Sequence, residues 1–213
     1  MPYFKNEHAR SGGAVYGHEE AVAEKIKAAG FTEVDKKQYP KVTKTLLKKW
    51  AESGDDAALR AATAGLPDGS YILQPAGTQG FPDILVKDYG DRFVAVECKS
   101  GQNGLCPMWN DNVPKPNTVY VLSSGIVNET TVFMGRDVIS PEEQQLMNEQ
   151  EAAIAKIVKE FNQKMAAIDK FGRGWIQKSR RQHFQGGGNA KTNYFKHASR
   201  KQCEENVLEF AKQ

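Results

Sequence analysis

The chain has 213 residues, 39% of them apolar and 26% charged, enough for one packed core and too apolar and varied for a disordered or fibrous class. A formal net charge of +3 marks no polyanion binder by itself, and no run of eighteen apolar residues offers a membrane-spanning helix. The start, Met1 to Glu7, carries no apolar leader, so a single-domain cytoplasmic protein is expected over 1–213.

His18 to Ala29 sets Val22, Ile26 and Ala29 on one helical face, with Gly30 as a stop. Phe31 to Gln38 reads as a short extended piece, and Thr43 to Trp50 and Asp55 to Ala64 as two further helices. Tyr71 to Leu73 reads as a strand before a turn-rich 75–80 stretch. Asp83–Lys87 and Arg92–Lys99 then form a β-hairpin with Gly90 in its turn. A loop over 100–117 separates this hairpin from strands at Thr118–Leu122 and Thr130–Met134.

Ser140, Pro141 and Glu143 make a capped start for a helix predicted to reach about Phe171, with Ile154, Ile157, Val158, Phe161, Met165 and Ile168 as its buried stripe. The tail from Gly172 is irregular until a last helix near Gln202 to Lys212. This order predicts an α/β fold with a central mixed sheet flanked by helices. Cys98, Cys106 and Cys203 are odd in number and lack CxxC spacing, so they read as free thiols. The histidines His8, His18, His183 and His197 likewise lack metal-ligand spacing.

Strand alternation puts Glu97 and Lys99 on one face with Phe93 and Ala95, while Val94, Val96 and Cys98 point the other way. Hairpin pairing would bring the carboxylate of Asp83, just after Pro82, beside Glu97. Two carboxylates and a backbone carbonyl, here that of Cys98, are hard oxygen ligands suited to Mg2+. A metal so held polarises a phosphodiester and activates water, and Lys99 beside it would orient the water, neutralise charge or take a proton.

Pro82-Asp83, followed after thirteen residues by Glu97-Cys98-Lys99 on an apolar strand, resembles the signature of the PD-(D/E)xK nuclease superfamily, and type II restriction endonucleases most of all. The resemblance runs from the first helix to about Leu122. It implies a restriction-endonuclease-like core, Asp83 and Glu97 as metal-binding acids, Lys99 as the catalytic lysine, and Mg2+ as cofactor. An acid on the first helix near the metal is also implied; Glu19 or Glu20 fills that place, and counting back from the helix stop favours Glu19.

The implied activity is hydrolysis of double-stranded DNA at a short specific sequence by a homodimer matched to a palindromic site. A structure-selective nuclease, such as a Holliday-junction resolvase or a repair nickase, would use the same site and stays open as the alternative. For DNA contacts the sequence offers the 172–201 segment, where Arg173, Lys178, Arg180, Arg181, Lys191 and Lys196 stand among aromatics without an acid. It also offers the 100–117 loop, whose Gln102, Asn103, Asn110 and Asn112 carry amides able to read adenine.

Overall fold

In the computed structural model, residues 17–78, 80–101, 104–110, 113–178, 182–183, 185 and 192–212 are described, with backbone alone at 110, 182 and 183. The chain is mixed α/β. Its elements are α1 (His18–Ala28), β1 (Thr32–Glu33), α2 (Lys44–Ser53), α3 (Ala57–Ala62), β2 (Ser70–Leu73), β3 (Ile84–Lys87), β4 (Phe93–Gly101), β5 (Trp109–Asn110), β6 (Thr118–Ser124), β7 (Glu129–Met134), α4 (Pro141–Ala167), β8 (Gln182–His183) and α5 (Arg200–Lys212).

Six strands form one sheet in the order β1-β2-β3-β4-β6-β7, and β5 pairs with β8 apart from it. The sheet is mixed: β4 runs parallel to β6 and β1 to β2, while β2, β3 and β4 form an antiparallel meander and β7 returns antiparallel to β6. Alternation along the strands divides the core. Ile72, Leu85, Phe93 and Ala95 face Leu47, Trp50 and Leu59 of α2 and α3. Tyr71, Ile84, Val86 and Val96 face Val22 and Ala23 of α1, with Val207 and Phe210 of α5 packed alongside.

The predicted hairpin is present, with Ile84 opposite Val96 and Lys87 opposite Phe93. Its turn is closed by Asp88, whose carboxylate accepts from the N–H groups of Gly90 and Arg92. Gly90 lies in that turn, and its left-handed position is taken by Asp91 at φ 61°. Thr43 caps α2 through a bond from Leu46 N–H, and Ser140 caps α4 through one from Glu143 N–H.

Two expectations for α4 fail. The helix stops at Ala167 short of Phe171, and no residue in it is buried. Ile154, Val158 and Met165 are half-buried, while Ile157, Phe161 and Ile168 are 66%, 46% and 67% exposed. The stripe has the right period for a core face, but periodicity says which face is apolar and not whether the same chain supplies a partner. No described helix is long and apolar enough to cross a membrane.

Candidate active site

The predicted residues meet where β2 ends, β3 begins and β4 runs on past its pairing with β3. Continuing the β3–β4 register by one pair sets Asp83 opposite Glu97. The backbone carbonyl of Asp83 accepts from Gln74 N–H at 2.7 Å, which holds the residue to the end of β2. Between them the chain turns tightly through Gly80, where a Cβ would lie 2.5 Å from the Ala76 carbonyl oxygen, so only glycine fits. Oδ2 of Asp83 accepts from Cys98 N–H at 2.7 Å.

On β4, Lys99 Nζ donates to Glu97 Oε1 at 2.8 Å, the same-face pairing that strand alternation requires. Glu97 is 7% exposed, and its second oxygen, Oε2, is buried without a hydrogen-bond partner. A polar oxygen left bare inside a protein is costly, and such orphans mark a place for an ion or water. Burial first, and then the neighbouring carboxylates of Glu97 and Glu19, push Asp83 up to about 8, against the opposing pull of the Cys98 N–H and Lys99. The thiol of Cys98 is pushed well above its ordinary range by burial and by the same acids, so it is no nucleophile.

The structure separates the two helix acids. Glu20 accepts from Gly17 N–H at 2.8 Å and so closes the first turn of α1. Glu19 instead accepts from Gln74 Nε2 at 3.1 Å and acts electrostatically on Asp83. The start of α1 is fixed to the sheet by His18, whose ring Nε2 lies 3.0 Å from the Val121 carbonyl oxygen. A carbonyl only accepts, so the proton sits on Nε2. Burial lowers the pKa of this histidine, leaving Nδ1 bare and buried.

Gln74 escaped the sequence reading. Its backbone bonds Asp83, its side chain bonds Glu19, and it sits at φ 44°, a left-handed conformation that non-glycine residues seldom adopt. A glutamine in a turn carries no sequence signal of this kind. Among the described residues, no three His, Cys, Asp or Glu side chains converge in metal-ligand geometry as they stand. What they offer is a group of acidic oxygens with one bare buried atom and one cation, Lys99.

Of the expected DNA-contacting residues, Gln102, Asn103, Asn112, Arg180, Arg181 and Lys191, together with the side chain of Asn110, lie outside the described residues. Arg173, Lys178 and Lys196 are exposed. The two segments that carry these residues are joined. β5 pairs with β8, Tyr194 N–H donates to the Leu105 carbonyl at 2.9 Å, and Tyr194 and Trp109 both donate to Gln185 Oε1.

Trp109 is buried edge-on against Tyr120, and Tyr194 and Phe195 are buried with it, so these aromatics serve the core. Arg200 is likewise structural, paired with Glu129 and Glu204. No protein-family model matches the chain, and no curated protein or solved structure matches it significantly.

Proposed function

We propose that this chain is a magnesium-dependent endodeoxyribonuclease of the PD-(D/E)xK kind, cutting duplex DNA at a short specific sequence as type II restriction endonucleases do. One observation carries the reading: the Asp83 carboxylate is bonded to the strand end that presents Glu97 and Lys99, and Glu97 keeps a buried oxygen with no partner.

Hard carboxylate oxygens short of positive charge suit Mg2+. Asp83, Glu97 and the Cys98 carbonyl are the proposed ligands, with Glu19 approaching from α1 and Glu20 engaged elsewhere. When bound, such an ion supplies Lewis acidity to a phosphodiester and a more acidic water. Lys99, held on Glu97 at 2.8 Å, places a cation where charge builds on the phosphoryl oxygens. Gln74 holds Glu19 and the Asp83 backbone in one arrangement, so the acids need not reorganise.

The joined 100–117 and 172–201 segments support a DNA-facing role beyond the site. The first leaves β4 two residues after Lys99, and the second lies against it through β5–β8 and the Tyr194 bond. Arg173, Lys178 and Lys196 then contact phosphates.

The test is digestion of a long linear DNA and of a branched duplex, each with and without Mg2+. Discrete fragments from the linear DNA in Mg2+, lost in Asp83→Ala, Glu97→Ala and Lys99→Ala, are expected. Full activity in any of the three variants overturns the site, and cleavage confined to the branched duplex gives the function to a structure-selective nuclease instead.

A further inference from the structure

Of the eleven large apolar side chains that stand exposed among the described residues, seven lie between 146 and 176. That concentration is far from a random scatter of surface apolar residues and marks an interaction surface. Four of the seven, Leu146, Ile157, Phe161 and Ile168, are on α4 or its C-cap, and Phe171, Trp175 and Ile176 follow it.

The four fall on one ridge. Leu146 and Ile168 each stand eleven residues from Ile157, about three helical turns, and Phe161 is one turn from it. The ridge is therefore symmetric about Ile157. A copy of the same helix laid antiparallel across it sets Ile157 on Ile157, Leu146 on Ile168, and the large Phe161 opposite the small Ala153.

The charges favour the same orientation. Every charged residue from 141 to 155 is acidic, namely Glu142, Glu143, Glu149 and Glu151. From 159 to 167, the last part of α4, which the antiparallel copy brings opposite 147 to 155, there are Lys159 and Lys164 against Glu160 alone. A parallel pair would stack acid on acid and base on base. The acidic first half also repels phosphate, which turns this face away from DNA and from anionic lipid.

The exposed apolar area is large for a single chain. Aromatic side chains bury about 150–250 Å² each. Phe161, Phe171 and Trp175, at 46%, 85% and 71% exposure, thus present on the order of 400 Å². Leu146, Ile157, Ile168 and Ile176 add to it, and the four ridge residues are the part centred on Ile157.

We infer that α4 is a self-association surface, on which a second copy of this chain docks antiparallel about Ile157. The inference rests on the helix and its charges and is independent of the nuclease reading. It is tested without DNA or metal, by the mass of the full chain in light scattering.

Wild type is expected at twice the 23.6 kDa of one chain. Ile157→Glu, which sets two buried carboxylates together at the two-fold axis, is expected at 23.6 kDa with an unchanged far-ultraviolet spectrum, because the residue is solvent-exposed in the single chain. Gln163→Glu, on the opposite side of the helix, is expected to keep the doubled mass. Under mild oxidation Ile157→Cys is expected to form a covalent dimer, and Leu146→Cys is not, with wild type as the control for Cys98, Cys106 and Cys203. A single-chain mass for wild type at all concentrations, or a doubled mass in Ile157→Glu, overturns the surface. Self-cross-linking of Leu146→Cys overturns the antiparallel orientation.

Discussion

The N–H of Cys98 donates to Oδ2 of Asp83 at 2.7 Å, so the strand that bears Glu97 and Lys99 is bonded to a carboxylate where the next rung of the hairpin would ordinarily lie. Asp83 is held there although burial and its acidic neighbours raise its pKa to about 8.

The first prediction follows from that shift. A carboxyl with a folded-state pKa raised from 3.8 to about 8 binds its proton more tightly folded than unfolded. It costs no stability below the unfolded value, and stability falls as pH rises from 3.8 toward 8. Asp83→Asn should therefore gain on wild type across that window in metal-free buffer. The difference in thermal midpoint should widen with pH and shrink when Mg2+ is added. A constant difference from pH 4 to 8 refutes the account in which burial and the neighbouring acids raise the pKa of Asp83.

Lys99 is the one described partner of the buried Glu97 carboxylate. Lys99→Ala should lose stability by about 1–3 kcal/mol, because both Glu97 oxygens are then left without a partner. Adding Glu97→Gln should recover part of that loss without recovering cleavage. Urea midpoints for the two single variants and the double variant check this; equal midpoints for Lys99→Ala and wild type contradict it.

Gln74 and Glu20 separate positioning from capping. Gln74→Ala should raise the Mg2+ concentration for half-maximal cleavage by roughly 10- to 100-fold, with the rate largely restored at saturation. Glu20→Ala should leave the Mg2+ dependence alone and lower stability by about 1 kcal/mol through the lost first-turn bond. A Mg2+ titration of both variants decides whether Glu19 or Glu20 serves the site.

Basic residues of the tail divide by environment. Arg173→Ala, Lys178→Ala and Lys196→Ala should each weaken DNA binding and reduce the slope of log affinity against log salt by about 1. Arg200→Ala should act on stability instead, since it releases Glu129, Glu204 and the Phe195 carbonyl together. Binding isotherms at several salt concentrations, in Ca2+ to hold back cleavage, compare the two groups.

Much of this was legible in the sequence because it is local. Alternation on β4 places Glu97 beside Lys99, the hairpin brings in Asp83, and Ser140 caps α4 where its spacing predicts. The unread parts are those that depend on distant chain. Gln74 meets Glu19 across 55 residues, and β5 meets β8 across more than 70. The stripe of α4 was read correctly as apolar and wrongly as core, because the sequence of one chain does not say where that chain's own packing stops.

β3 stops pairing with β4 at Ile84 and Val96, yet β4 runs on to Gly101 paired, among the described residues, with β6 alone. The sheet forks at that point, and Asp83 stands in the crotch. Beyond Glu97 one edge of β4 is free of β3, and on the proposed function that edge is the side from which a phosphate and its water would reach the acids. The width of that opening is set by where β3 ends. A residue inserted within β3 would shift the rung that Asp83 occupies, whereas one inserted between Asp88 and Arg92 only lengthens a distant turn, so the two strand lengths act as the gauge of the site.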